Sequence, residues 1–101
     1  MIIRSERLDP DSIILFLSGR LDTATSPTFD LELSKLVDGT ADIIFDLKDL
    51  SYISSSGLHV LLQAQKTMTA KNRKLVMRNI GGSVKDVFDM TGFSNIITLE
   101  D

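Results

Sequence analysis

The sequence predicts an α/β fold with a mixed, mostly parallel sheet, an N-terminal antiparallel hairpin and helices that alternate with the later strands. Short apolar runs rich in β-branched residues, such as Ile13–Leu17 and Asp42–Leu47, alternate with segments whose apolar residues recur at helical spacing. The turn signal Asp9-Pro10-Asp11 also separates Ile2–Leu8 from Ile13–Leu17, as in a hairpin. Right-handed crossovers between the later strands then make those strands parallel.

Start and stop signals bound the first two helices. Ser26 is expected to cap the first helix, with Pro27 at its first position, and Asp38-Gly39 ends it. The stretch Ser54–Gly57 leads into a second helix, whose apolar face is expected to contain Leu58, Leu61, Leu62 and Met68.

The C-terminal third repeats the alternation. Lys74–Met77 is the next predicted strand, and Gly81-Gly82-Ser83 begins a helix that the pair Thr91-Gly92 ends. Asn95–Leu99 is the last predicted strand. Residues expected in or near the core of this region are Met77, Met90 and Phe93, although methionines can also line adaptable partner surfaces.

Length and charge narrow the class of protein. The 101 residues fit one domain spanning 1–101, and the 43% hydrophobic fraction is enough for one core. A net charge of −3 does not favour nucleic-acid binding. The start of the chain lacks the pattern of a signal peptide, and no apolar run approaches the roughly 20 residues that cross a bilayer. We therefore expect a cytoplasmic protein that does not associate with membranes.

Catalytic, nucleotide and metal sites have little support in the sequence. His59 is the single histidine, and a serine hydrolase would need it beside both a serine and an orienting acid. Gly81-Gly82-Ser83 lacks the lysine and spacing of a P-loop, and Asp42, Asp46 and Asp49 are too spread for a metal site. We expect no enzyme, no cofactor and no metal.

Two loops form the candidate functional surface. In parallel sheets, functional residues gather at the carboxyl ends of the strands, where helices begin. Asp22 and the stretch Ser54–Gly57 both follow predicted strands. A serine before a helix is most often a simple N-cap, so the residues alone leave open whether this serine cluster is modified.

The stretch Asp46–Leu58, DLKDLSYISSSGL, resembles the signature of bacterial anti-sigma-factor antagonists, the founding members of the STAS domain family. Gly19-Arg20-Leu21-Asp22 resembles the family's loop after its second strand, and Val84–Ile97 resembles its last helix and strand. The similarity runs from the first hairpin to the C-terminus and implies that residues 1–101 form a single STAS domain.

The resemblance also implies a function. An unphosphorylated antagonist binds an anti-sigma factor that is also a serine kinase, and so releases the sigma factor. Phosphorylation on one serine switches it off, and a serine phosphatase resets it. The matching position is Ser55, with Ser56 and Ser54 as fallback acceptors. The residues expected to bind the partner are Asp22, Thr23, Ser54, Ser56, Gly57, Leu58 and His59. A monomer or weak dimer is expected.

The sequence departs from the family pattern at two places. Ser54 stands where an aspartate usually precedes the phosphoserine, which makes the neighbourhood less acidic and leaves three adjacent hydroxyls. Typical members also carry a further helix after the final strand, whereas this sequence stops at Asp101, which bears on stability or oligomeric state or implies a truncated chain. The alternative function is a STAS scaffold or subunit that binds constitutively in a signalling or transport complex.

Overall fold

A computed structural model describes residues 1–39 and 41–100. The strands are β1 (Ile2–Asp9), β2 (Ser12–Leu21), β3 (Asp42–Ile53), β4 (Leu75–Arg78) and β5 (Thr98–Glu100), and the helices are α1 (Ser26–Val37), α2 (Ser55–Ala70) and α3 (Gly82–Thr91). The strands form one sheet in chain order, with β1 antiparallel to β2 and the other neighbours parallel. This confirms the predicted mixed sheet with an antiparallel edge strand.

The core lies on one face of the sheet. Alternate strand residues enter it, among them Leu15 and Leu17 of β2, and Phe45 and Leu47 of β3. They pack with apolar residues from all three helices, including Phe29, Leu61 and Phe88. Strands arranged in chain order with right-handed crossovers place every helix on the same side of the sheet. The other face carries the intervening strand residues, such as the half-buried Phe16, Ile44 and Val76.

Strand β3 is longer than the sequence predicted. The apolar pattern indicated an end near Leu47, whereas the strand continues to Ile53. Its pairing with β2 is irregular at two places, so the buried positions Leu47, Leu50 and Ile53 are three residues apart instead of two. The polar residues between these positions interrupt the apolar pattern, so the sequence did not indicate that the strand continues. The extension brings the end of β3 directly to Ser54.

The start of α1 also differs from the prediction. Thr25, and not Ser26, occupies the N-cap position, and Pro27 lies in the first turn. The Ser26 hydroxyl donates a hydrogen bond to the Asp22 carbonyl oxygen instead of accepting one from the helix. Ser26 is buried, so its side chain helps to join α1 to the preceding loop.

The segment after α3 corrects two further predictions. Asn95 belongs to a 3-10 turn over Phe93–Asn95, and the last strand begins only at Thr98. Gly92 has a φ of +79°, which turns the chain so that the buried Phe93 packs edge-to-face on Phe88 at 5.0 Å between ring centroids. Met90 is 85% exposed, because it lies two residues beyond Phe88 and so on another side of the helix. Met77 and Phe93 are buried, as predicted.

In the part of the chain that the structure describes, no helix combines the length and apolar character needed to cross a bilayer.

Candidate functional site

The two candidate loops meet at the carboxyl ends of β2 and β3. These strands are neighbours, and their last paired residues are Leu21 and Ile53. The backbone N–H of Ser54 donates to the carbonyl oxygen of Leu21 at 2.9 Å, which carries the pairing one step beyond the strands. Asp22 follows the end of β2, and Ser54 and Ser55 follow the end of β3. The two loops therefore start next to each other at the same end of the sheet.

Asp22 shapes the first loop. Its carboxylate oxygen Oδ1 accepts hydrogen bonds from the backbone N–H groups of Ala24 and Thr25, at 3.0 and 3.1 Å. The bond from the Thr25 N–H is the main reason that the pKa of the Asp22 carboxyl lies below its usual value of 3.8. Arg20 lies 3.6 Å from the other carboxylate oxygen. At neutral pH, Asp22 is therefore an anion that holds the loop in one conformation.

Four hydroxyl side chains, Thr23, Ser26, Ser54 and Ser56, form a hydroxyl cluster that links the two loops. Ser54 is the N-cap of α2, and its Oγ accepts a hydrogen bond from the Gly57 N–H at 3.2 Å. Ser56 lies at the centre, with its Oγ 2.8 Å from that of Ser54 and 3.4 Å from the hydroxyls of both Ser26 and Thr23. The cluster contains no charged group. Of the three adjacent serines, Ser54 and Ser56 belong to it and Ser55 does not.

Ser55 differs from both of its neighbours. It is the first residue of α2 and is exposed, whereas Ser54 and Ser56 are half-buried. Within residues 1–39 and 41–100, its hydroxyl makes no hydrogen bond, while Ser54 and Ser56 are both bonded. Ser55 is thus the serine whose oxygen can be approached from solvent without breaking an existing contact.

Gly57 has a packing role that the sequence did not reveal. The residue is buried, and a Cβ built on it would lie 2.6 Å from the Leu21 Cγ and 3.0 Å from the Leu21 carbonyl oxygen. The backbone at Gly57 is therefore not open to solvent. Instead, the missing side chain lets α2 approach the end of β2 and sets the distance between the two loops.

An apolar groove runs from Ser55 between α2 and the segment after α3. It has a volume of about 230 Å³ and is lined by Ser55, Leu58, His59, Leu62, Thr91, Phe93 and Ile96. We call it the α2–α3 groove. Among the residues that the structure describes, its lining contains no carboxylate, lysine or arginine, and Ile96 is 53% exposed at its rim. The exposed Met90 belongs to the same helix end.

The structure brings together most of the residues that the sequence singled out. Asp22, Thr23, Ser54 and Ser56 meet across the two loops, and Leu58 and His59 lie beside Ser55 in the α2–α3 groove. Sequence reasoning missed Thr91 and Ile96, which are far from Ser55 in the chain. The sequence carries no signal for them, because the exposure of Ile96 and of the nearby Met90 is visible only in the structure.

Metal chemistry and serine catalysis have no geometric support among the residues that the structure describes. No group of three or more histidine or acidic side chains comes together there as a metal site would require. His59 is exposed on α2, and its ring makes no hydrogen bond to a serine in the described ranges. The arrangement instead offers one accessible hydroxyl at a helix N-terminus, beside an apolar groove.

The chain belongs to the STAS domain family, whose model matches residues 4–101. It is 30% identical to the anti-sigma-B factor antagonist of Listeria monocytogenes, over 98% of this chain and 88% of the relative. The fold is similar to that of a protein from Thermotoga maritima, with a TM-score of 0.91 at 21% identity over 98% of this chain and 86% of the other.

A second structural relative is the anti-sigma factor antagonist SpoIIAA, whose structure is known in two forms. The unphosphorylated form gives a TM-score of 0.84 at 20% identity, over 99% of this chain and 89% of SpoIIAA. The phosphorylated form, from Bacillus, gives 0.77 at 20% identity, over 99% and 92%. At this level of identity the likeness concerns the fold.

Proposed function

We propose that this protein is an anti-sigma factor antagonist that is switched by phosphorylation of Ser55. The unphosphorylated form binds an anti-sigma serine kinase and so releases the sigma factor. The kinase then transfers phosphate to Ser55, and a serine phosphatase removes it. In this proposal the chain is a cytoplasmic, non-enzymatic protein of one domain that needs no cofactor and binds no nucleic acid. The antagonist role rests on the named relative from Listeria monocytogenes.

The observation that carries the assignment is the difference between the three serines. Ser54 is occupied as the N-cap of α2, and Ser56 is the centre of the hydroxyl cluster. Phosphorylation of either would break contacts that join the two loops. Ser55 is exposed, and its oxygen has no competing partner among the described residues. A kinase therefore reaches Ser55 with the least disturbance of the fold.

The helix start suits the modified form as well. A phosphate on Ser55 carries about −1.5 to −2 charges near neutral pH. It would lie at the N-terminus of a 16-residue helix, where unpaired backbone N–H groups and the helix dipole favour an anion. The domain is therefore expected to stay folded when it is phosphorylated, so that the switch acts on the partner surface and not on the fold.

The α2–α3 groove explains how such a phosphate would prevent docking. Ser55 forms part of the groove, together with apolar side chains such as Leu58 and Phe93. A partner that fills the groove must cover Ser55. A covered phosphate would then lose water without gaining a cationic group from the described lining of the groove. A cost of only about 1.4 kcal/mol weakens binding tenfold. The phosphate is thus expected to block binding by desolvation and charge.

The acceptor can be mapped directly. The parent protein is incubated with its cognate anti-sigma kinase and ATP, and the product is analysed by tandem mass spectrometry. We expect one phosphate on Ser55 and none after Ser55→Ala. The matched controls are Ser56→Ala and Ser54→Ala, which should still accept phosphate on Ser55. Phosphate on Ser54 or Ser56 in the parent would contradict the assignment.

The switch itself is tested by binding. Calorimetry with the same kinase should give at least tenfold weaker binding for Ser55→Asp than for the parent, with Ser55→Asn as the uncharged control of similar size. Equal affinity for the parent, Ser55→Asp and Ser55→Asn would favour the alternative, a STAS scaffold or subunit that binds its partner constitutively.

A further inference from the structure

Strand β1 forms one edge of the sheet and presents an unused line of backbone groups. It has eight residues, Ile2–Asp9, and within the described residues it is paired on one side only, with β2; this pairing is regular from Ile2 to Arg7 and shifts register between Arg7 and Asp9. An edge strand of this length, with free N–H and C=O groups, can pair with a strand of another molecule. Proline, which prevents such pairing, occurs only beyond the end of the strand, at Pro10.

The side chains of β1 are unusually exposed for their type. Ile2 is 70% exposed and Leu8 is 51% exposed, one near each end of the strand. Between them lie Arg4 and Glu6, both exposed. In the described ranges, neither residue forms an ion pair, whereas four other pairs of charged side chains do. The strand therefore offers two exposed apolar side chains and, among its four charged residues, an arginine and a glutamate that form no ion pair within the described ranges.

We propose that β1 pairs antiparallel with β1 of a second copy of this chain, around a two-fold axis at Ser5. In this register, Arg4 lies opposite Glu6 of the second copy, within Ile2–Arg7, the part of β1 whose pairing with β2 is regular. The symmetry produces this contact twice. The two sheets become continuous.

The order of charges selects this register. An axis at Arg4 would place the two copies of Arg4 opposite each other, and an axis at Glu6 would do the same for the glutamates. Like charges directly opposite each other disfavour strand pairing, whereas opposite charges favour it. Charges on an edge strand also serve to keep monomers apart. In this strand, however, the sequence order makes them complementary under two-fold symmetry.

Arg4 already makes one contact within its own chain. Its guanidinium carbon lies 4.4 Å from the centre of the Phe16 ring, on the neighbouring strand β2, so the side chain leans away from the free edge. In the dimer, Arg4 turns towards the edge to reach Glu6 of the second copy and exchanges this stacking for an ion pair.

The test is a charge-swap series measured by sedimentation equilibrium from micromolar to millimolar protein. We expect the parent to self-associate reversibly to a dimer. Arg4→Glu and Glu6→Arg should each weaken the dimer by about tenfold or more, because each places like charges opposite each other twice. The double variant, Arg4→Glu with Glu6→Arg, should restore the parent dissociation constant to within about threefold.

Lys35→Glu is the matched control for Arg4→Glu, because it makes the same change in net charge on an exposed part of α1. It should leave the dimer unchanged. Circular dichroism melting shows that each variant is folded. A parent that stays monomeric over the whole range, single variants that dimerise as well as the parent, or a double variant that fails to recover would each overturn the proposal. None of these outcomes depends on the proposed function.

Discussion

Replacing Gly57 by alanine is expected to destabilise the protein, although alanine favours helices. The new Cβ would lie 2.6 Å from the Leu21 Cγ and 3.0 Å from the Leu21 carbonyl oxygen. The leucine side chain can move, but the carbonyl belongs to the end of β2 and accepts the Ser54 N–H. Overpacking of this kind destabilises a protein by about 1–3 kcal/mol. The higher helix propensity of alanine stabilises the helix by up to about 1 kcal/mol. We expect a net loss of about 1–2 kcal/mol.

Urea unfolding at equilibrium measures this loss, with Gly82→Ala as the control. Gly82 is the first residue of α3, and nothing lies within 4 Å of a Cβ built there. That substitution should leave the free energy of unfolding unchanged or slightly higher. For a domain of about 100 residues, a loss of 1 kcal/mol also lowers Tm by about 4–8 °C. A Gly57→Ala variant as stable as Gly82→Ala would refute the close packing of α2 on β2.

Two further predictions concern the loops. Ser54→Ala removes the N-cap of α2 and should lower the free energy of unfolding by about 0.5–2 kcal/mol in urea, since the Gly57 N–H loses its acceptor; an unchanged midpoint would show that the cap contributes nothing. The pKa of Asp22 is lowered in the folded protein, which means that its carboxylate form stabilises the folded state. This stabilisation is fully present above the usual pKa of 3.8. It is lost as the pH falls through the lower pKa of the folded state. The stability difference between the parent and Asp22→Asn should therefore shrink on acidification, and a difference that grows instead would contradict the role of Asp22.

The fold could be predicted from the sequence because its strands and helices have different periodicities. The hairpin, the order of elements and the parallel sheet followed from apolar runs and from signals such as Asp9-Pro10-Asp11. The end of β3 could not be predicted, because irregular pairing with β2 replaces alternation by a spacing of three residues. The start of the last strand could not be predicted either, because two features precede it. The chain makes a left-handed turn at Gly92, and Phe93 then packs on Phe88.

The candidate site could likewise be predicted only in part. Local signals placed Asp22 and Ser54–Gly57 at strand ends, and the neighbouring strands then bring them together. The resemblance to a known family selected Ser55, whereas the different environments of the three serines are visible only in the structure. The α2–α3 groove could not be predicted, because it combines α2 with Thr91, Phe93 and Ile96 and depends on how α3 packs.

In the proposed switch, a phosphate on Ser55 controls partner binding. Its most direct test is calorimetric titration of the cognate anti-sigma kinase with protein that carries phosphate on Ser55 and with the same protein after phosphatase treatment. We predict that the phosphate weakens binding at least tenfold and that its removal restores the original affinity. Equal affinities for the two forms would contradict the claim.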